Sequence, residues 1–540
     1  MPAVTSSRAV RARIEGSPEP PFDRLFDPLT HALVIGAPLA RQRFVTPWAD
    51  TEALRSLTGK RAPLDAALAE ALRDRHRRLG ASPESLRGLE RLACGEAVCT
   101  IAGQQPAPLG GPLYALHKTA AAVGIARRVT ARTGVPCVPV YWNHVEDSDF
   151  DEIRSIMVAD ATLALEDLSL PADSHAEGGL VGAIPAAALA ELHRKALTRW
   201  AGLPGVAPLA SLLETVVGRA SDLGEVQASL MLALFADQGL VVVDPRLPAF
   251  QAAARPIIDR YLDRADALSR AARWAGAALE AGIGRRPLSD AALDSFVFAL
   301  RDGTRHKVTP QEARALPSGV ALSPSVALRP AVQDGVLPTV AMACGPGELA
   351  YLAQLKEVFE GLDLQPACPV PRFSATWLPP AAIALLEASS ADPWLLVATT
   401  DAVLRRHAET RVPSGLRDEL DRMRAELAGR LESFAREASA LDSSLPQIVE
   451  SARGKMDYQL ARLLEGLAGK ARHRMEREHP EWLRLRYYLS PGDRLQERRL
   501  ASLEPVAYRG PGVVNELCNL AEGHAEKLEN GRYTHDLLEL

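Results

Sequence analysis

Cysteine is scarce in this chain, six in 540 residues. They stand at Cys94, Cys99, Cys137, Cys344, Cys368 and Cys518, with no Cys-x-x-Cys pair and no cluster of histidines beside them. That spacing excludes a disulfide framework and a zinc site, and reads as the reduced, mostly buried thiols of a cytoplasmic protein. Long hydrophobic runs are missing as well. No apolar stretch approaches the roughly 18 to 20 residues that span a bilayer, so no membrane partner is expected. The segment 1–24 is polar, holds proline and arginine, and has no apolar centre, so it does not read as a signal peptide. Charge of one sign is lacking too. The formal net charge is −5, which gives no electrostatic ground for a nucleic-acid partner. Neither a Walker A loop nor Gly-x-Gly-x-x-Gly occurs.

What is present begins at Val98. Val98 to Ala102 is a short apolar strand, Gly103 to Gly111 a loop of Gly, Pro and amide side chains, and Pro112 has the fixed φ suited to a first helical position. The free N–H groups and positive dipole end of such a helix favour an anion, and glycines at Gly110 and Gly111 allow close approach. Gly103, Gln104, Gln105 and Gly111 are therefore the expected nucleotide-binding residues of this turn. His117 and Lys118 lie one to two turns inside, where a cation can meet charge on a transferring phosphate. An ordinary strand-to-helix turn with a surface His-Lys pair fits the same residues equally well.

Val135 to Trp142 is a second buried-strand pattern, and strand, helix and strand together make a βαβ unit. Ligands of such sheets bind beyond the carboxyl ends of the strands. There the chain turns acidic, and Glu146, Asp147 and Asp149 are the candidate carboxylates for a Mg²⁺ ion or a substrate ammonium. Asp149 to Glu152 also reads as an N-cap with first-turn acids on a helix from Phe150, the reading preferred for Asp151 and Glu152.

The expected divisions are 1–90, an N-terminal helical region; 91–155, the first part of a Rossmann core; 156–235, an insertion; 236–248, a third core strand; 249–338, a second insertion; 339–380, the last part of the core; 381–480, a helical coiled-coil arm; and 481–540, a C-terminal helical region. Within the first insertion, 163–170 and 179–184 hint at strands. Within the second, Asp302-Gly303 marks a hairpin turn. The fold class is α/β, a doubly wound core interrupted by insertions. In the arm, Leu416, Leu420, Met423, Leu427, Leu431 and Phe434 step by fours and threes, Pro446 breaks the helix, and Ile448, Ala452, Met456 and Leu460 resume. Such a seam predicts a homodimer. Two later turns add candidate ligand residues. Gly345, Gly347 and Glu348 form a strand-to-helix turn, and Arg372 and Ser374 follow the last strand, where a mobile loop offers cationic and hydroxyl contacts to phosphates. Helix capping competes for Glu348, and a surface position for Arg372.

The segments Gly103-Gln104-Gln105, Gly111-Pro112-Leu113-Tyr114, His117-Lys118, Val138-Pro139-Val140-Tyr141-Trp142 and Glu146-Asp147-Ser148-Asp149 resemble the bacillithiol-biosynthesis cysteine-adding enzymes. Collinear matches continue at 239–245, Leu328-Arg329-Pro330, Gln333-Asp334, Leu337-Pro338-Thr339, 345–351 and Leu495-Gln496-Glu497-Arg498, so the resemblance covers nearly the whole chain. Two positions depart from the family pattern. Ala102 stands where a Thr is usual, and Ser148 replaces the His of Glu-Asp-His-Asp.

The resemblance implies a ligase that joins the carboxylate of cysteine to the amine of glucosaminyl-malate, the last step of bacillithiol synthesis. Hydroxide is a poor leaving group, so the carboxylate needs activation. ATP with Mg²⁺ is the hypothesis, through an acyl-adenylate or an acyl-phosphate, with His117 and Lys118 stabilising the phosphorus and the acids positioning Mg²⁺ or the amine. No metal-ligand set is assigned. With Ser148 in place of His, proton removal falls to Glu146 or Asp147. Two other readings stay open. Gly-Pro-Leu-Tyr-x-x-His can be a drifted synthetase signature, with Arg472, Arg474, Arg477, Arg484 and Arg486 as an RNA surface, or the chain can be a non-catalytic coiled-coil scaffold.

Overall fold

Five strands, each apolar along its length, lie side by side in a computed structural model that describes residues 10–15, 25–317, 319–389, 397, 414–478 and 480–540. In chain order they are Val98–Gln104, Cys137–Asn143, Val241–Val243, Thr339–Cys344 and Cys368–Pro371. All pair in parallel, and across the sheet they run fifth, fourth, first, second, third. This is the doubly wound Rossmann order, whose direction reverses between the first and fourth strands. Continuous burial of the strands matches their continuous apolar sequence, as a parallel sheet covered on both faces requires.

One face is covered by the helix Leu113–Thr133, which is buried along most of its length. Its small residues permit close packing. A Cβ on Gly124 would lie 2.5 Å from the backbone nitrogen of Glu522, so only glycine lets the helix Val513–Glu529 approach there. The other face is covered by the helix Pro248–Ile283, whose Phe250 packs edge-on against Trp142 at 5.2 Å between ring centres. Val140, Val241, Ile257, Ile258 and Tyr261 join the same core.

Between the core strands the chain carries further elements. Leu165–Ser169 is a strand, paired with Ser155–Ala159, but 179–184 holds only a bridge at Gly179 and a single turn of 3-10 helix, Val181–Ala183. The hairpin at Asp302-Gly303 forms, both residues taking positive φ between Val297–Arg301 and Thr304–Lys307. Pro112 is the N-cap of its helix rather than a first helical residue.

A second sheet was not expected. Ala375–Leu378 pairs in parallel with Thr534–Glu539, which pairs antiparallel with Val10–Glu15. The C-terminal region therefore ends in a strand rather than a helix. Its buried polar residues hide the pattern: Asp536 is paired with Arg13, and the ring of His535 is hydrogen-bonded to Ser374 and Thr376. The supposed mobile loop after the last core strand is the link into this sheet, and Arg372, Ser374 and Thr376 are all buried.

The chain divides into two compact units, one of residues 1–381 with 494–540 and one of 382–493. The second contains the helices Ser414–Ser439 and Leu445–Glu478, folded as a hairpin and joined by an Arg424 to Asp457 ion pair at 2.8 Å. Pro446 sits in the first turn of the second helix, where its missing N–H costs nothing, and the break falls just before it. Of the Arg tract, Arg474 pairs with Glu478 and Arg486 with Asp493, while the side chain of Arg472 lies outside the described set. The expected arm boundary at 381–413 lies largely outside the described residues. Among the described residues no helix is long and apolar enough to cross a membrane.

Candidate active site

At the carboxyl ends of the first and fourth strands, where the winding reverses, the sheet opens into a cleft of about 310 Å³. Lys118 is its anchor. The side chain rises from the first helix and donates to Glu348 Oε1 at 2.6 Å and to the Gly103 carbonyl at 2.6 Å, tying the first strand to the turn after the fourth. Glu348 in turn accepts the N–H of Gly345 at 2.8 Å, so one carboxylate both caps its helix and binds the lysine. The capping and ligand-site readings of Glu348 are therefore compatible.

The acidic run separates into different places. Asp147 lines the cleft, accepts the N–H of Ser148 at 2.8 Å and pairs with Arg305 at 3.4 Å. Glu152, expected only as a first-turn acid, also lines the cleft. Desolvation and the neighbouring Asp149 push its pKa up, against a hydrogen bond from Gln105. Asp149 is exposed and caps the short helix Phe150–Ile153 through the N–H of Glu152. Glu146 is buried outside the cleft lining, where it accepts the Ser323 hydroxyl at 2.8 Å, and burial raises its pKa.

His117 points away from the cleft. Its Nε2 accepts the Trp377 indole N–H at 3.0 Å, which leaves the proton on Nδ1 to donate to Glu497 at 3.1 Å. Both nitrogens are engaged and the ring is fully buried. Burial first, against the pull of Glu497, lowers its pKa. The expected contact of His117 with a phosphate therefore has no path here. Gly111 is also outside the cleft. Its N–H goes to Pro108, its carbonyl accepts from Ser502, and the N–H of Leu113 is taken by the Leu500 carbonyl at 2.7 Å, so the C-terminal segment fills the turn expected to hold an anion.

Gly103, Gln104, Gln105, Gly345, Gly347 and Arg372 do line the cleft. Above Gly103 there is no room for a side chain, because a Cβ would lie 2.6 Å from His144 Nε2. Over Gly347 a Cβ meets nothing within 4 Å. The open strand-to-helix turn is thus the second, not the first. Ser374 stays behind the wall, hydrogen-bonded to Glu497 at 3.1 Å and to His535 at 3.0 Å.

Among the lining residues not singled out as site residues are three basic ones. His144, one residue past the second strand, faces Arg329 with Nδ1 at 3.3 Å, and burial together with Arg329, Lys118 and Arg305 holds its pKa well below the usual value. Arg329 opens the helix Arg329–Val336, and Arg498 comes from the C-terminal segment. Arg329 and Arg498 stand in family-like segments, and strand-end placement was the available signal for His144. The cleft thus holds a neutral imidazole four residues before the Ser148 that departs from the family pattern.

A doubly wound parallel sheet with a mixed-charge cleft at its switch point, and a long helical hairpin in the same chain, define a Rossmann-like enzyme with a coiled-coil domain. The chain belongs to the BshC family of bacillithiol biosynthesis: the family's N-terminal Rossmann-like domain matches residues 41–317 and 311–373, and its C-terminal coiled-coil domain residues 386–529. Relatives named "Putative cysteine ligase BshC" align along most of their length. The one from Koribacter versatilis is 32% identical over 84% of this chain and 87% of its own. Those from Solibacter usitatus and Geobacillus kaustophilus are 28% and 27% identical, covering 82% and 86% of this chain and 85% and 90% of their own.

Proposed function

We propose that this protein joins the carboxyl group of cysteine to the amine of glucosaminyl-malate through an activated carboxylate. The observation that carries the reading is the convergence of Lys118, Glu348, Arg329 and Asp147 at the switch point of the sheet, in a chain of the BshC family. Fixed cations suit a carboxylate and the oxyanion that develops as its carbonyl is attacked, and they act strongly because they are already held in place. The amine attacks only when unprotonated. Asp147, at the cleft edge with Glu152 beside it, is the proton acceptor in this reading.

ATP is the proposed activating substrate. The turn Gly345–Glu348 suits its phosphates, since Gly347 leaves the backbone approachable and Lys118 and Arg498 line the same space. When bound it supplies a good leaving group on the carboxyl oxygen. Among the described residues no cluster of three His, Cys, Asp or Glu side chains is built to hold a metal. A Mg²⁺ ion suits such a cleft through a single carboxylate, here Glu152, with the phosphates themselves completing its shell. The arm suits self-association, and a homodimer through it is part of the same proposal.

The test is purified protein incubated with cysteine, glucosaminyl-malate and ATP, with the amide product read by mass. Product that is lost in Lys118→Met and restored in part by Lys118→Arg supports the reading. Absence of product under all nucleotide conditions, or cysteine transfer that requires RNA, overturns it.

A further inference from the structure

His144 reaches the cleft directly after the second strand and lines it together with Gly103 and Lys118. Its Nδ1 lies 3.3 Å from a guanidinium nitrogen of Arg329. A guanidinium can only donate, so Nδ1 accepts and the ring proton sits on Nε2. That nitrogen stands over the end of the first strand, where a Cβ on Gly103 would lie 2.6 Å from it, so the glycine is what admits the ring. Among the described residues Nε2 has no hydrogen-bond partner. The ring is also kept uncharged. Burial, and then the cations Arg329, Lys118 and Arg305, oppose a second proton on it. The carboxylates that could offset those cations are already engaged, Glu348 with Lys118 and Asp147 with Arg305.

We propose that His144 Nε2 is a neutral hydrogen-bond donor to the carboxyl oxygen of the amino-acid substrate, and that Arg329 positions it by holding Nδ1. The bond forms to the bound carboxylate and tightens as the activated carbonyl is attacked and its oxygen gains charge, with no proton leaving the ring. Neutrality matters here, because an imidazolium would be acid enough to protonate the attacking amine. Lys118 and Arg329 supply charge, and His144 supplies direction. The assignment rests on the ligase reading in one respect: the acid held here is taken to be cysteine.

Two measurements on the full chain test it without turnover. In NMR spectra of histidine labelled at the ring nitrogens, the signal that disappears in His144→Gln should be an Nε2–H tautomer throughout about pH 5 to 8, and Arg329→Met should bring in the Nδ1–H form. Calorimetric titration with L-cysteine should show binding that His144→Gln, which keeps an N–H near the same place, weakens less than about threefold and His144→Leu at least about tenfold. Should His144→Leu unfold, the wild-type Nε2–H signal decides alone, since cysteine should move it downfield. A ring that titrates in that range, an Nδ1–H tautomer in the wild type, no binding of cysteine, or binding indifferent to His144→Leu overturns the proposal. Amide product together with that indifference would leave the ligase reading standing and remove His144 from it. Cysteine binding that depends on His144, without amide product, would sink the ligase reading and leave this assignment in place.

Discussion

Arg372 and Glu497, 125 residues apart in sequence, meet as a buried two-point ion pair, with one guanidinium nitrogen 2.9 Å from Oε2 and the other on Oε1. The same carboxylate receives His117 and Ser374. Burial opposes its charge, yet the guanidinium holds its pKa well below the usual range. Removing one charge of such a pair leaves the other stranded, at a cost of roughly 3–5 kcal/mol. Glu497→Gln should therefore lower the urea midpoint sharply. Arg372→Met combined with Glu497→Leu should lower it much less, and equal losses in the two variants would show that the charges themselves contribute little.

His117→Ala should act on stability before chemistry. It leaves the Trp377 indole N–H without its partner, removes one of the donors to Glu497 and opens a cavity, for a combined loss of about 3 kcal/mol. Thermal denaturation beside turnover at saturating substrate measures both. A tenfold fall in turnover with an unchanged melting temperature would mean that His117 reaches the substrate after all.

The parts of this arrangement that sequence made legible are the local ones. Val98–Gln104, Val241–Val243 and Thr339–Cys344 read as core strands because burial on both faces demands unbroken apolar runs, and Asp302-Gly303 read as a hairpin because its backbone demands that turn. Lys118 and Glu348 were each legible as candidates on separate turns, though not as partners, since their meeting depends on strand order. The occupancy of the Gly111 turn by Leu500 to Ser502 was invisible, because a segment nearly 400 residues away supplies the competing carbonyl. The strand Thr534–Glu539 was missed because its buried His535 and Asp536 are polar, and only their distant partners explain them.

Acid should destabilise the protein above the range of its carboxylates. Burial pushes His76, His193 and His535 down to about 4 and His524 to about 3. The unfolded chain protonates these rings near their ordinary 6.5 while the folded chain does not. It therefore binds more protons between roughly pH 6.5 and 4, and stability falls as pH drops through that window, by up to about 1.4 kcal/mol per unit for each ring. Urea unfolding at about pH 7 and pH 5.5 should show the loss. His76→Gln should flatten the slope, and an unaltered slope would remove His76 from the account.

Leu416, Met423 and Phe434 on one helix of the arm, Leu441 in the turn after it, and Ile448, Met456 and Leu463 on the other helix of the hairpin, are all exposed in a single chain. Apolar side chains repeated at coiled-coil spacing favour association. Leu427→Lys with Phe434→Lys should convert a dimer to monomers without changing the melting of the Rossmann unit. Light scattering decides it, and a monomeric wild type would rule the interface out.

Asp147 carries the last prediction, together with the Ser148 beside it. Asp147 lines the cleft and already binds the backbone of Ser148, whereas Glu146 is sequestered by Ser323, so of the two candidate bases only Asp147 is positioned to take a proton from an amine. Asp147→Asn should lower kcat/KM at least about a hundredfold, the low end of what a general base contributes. Ser148→His adds an imidazole near a cleft that already contains His144, held neutral by burial and by Arg329. It should shift the pH profile of kcat modestly and leave the product unchanged. Activity that appears only in Ser148→His would show that the serine disables the family reaction in this chain, and full activity in Asp147→Asn would move the base elsewhere, with Glu152 the next carboxylate to replace.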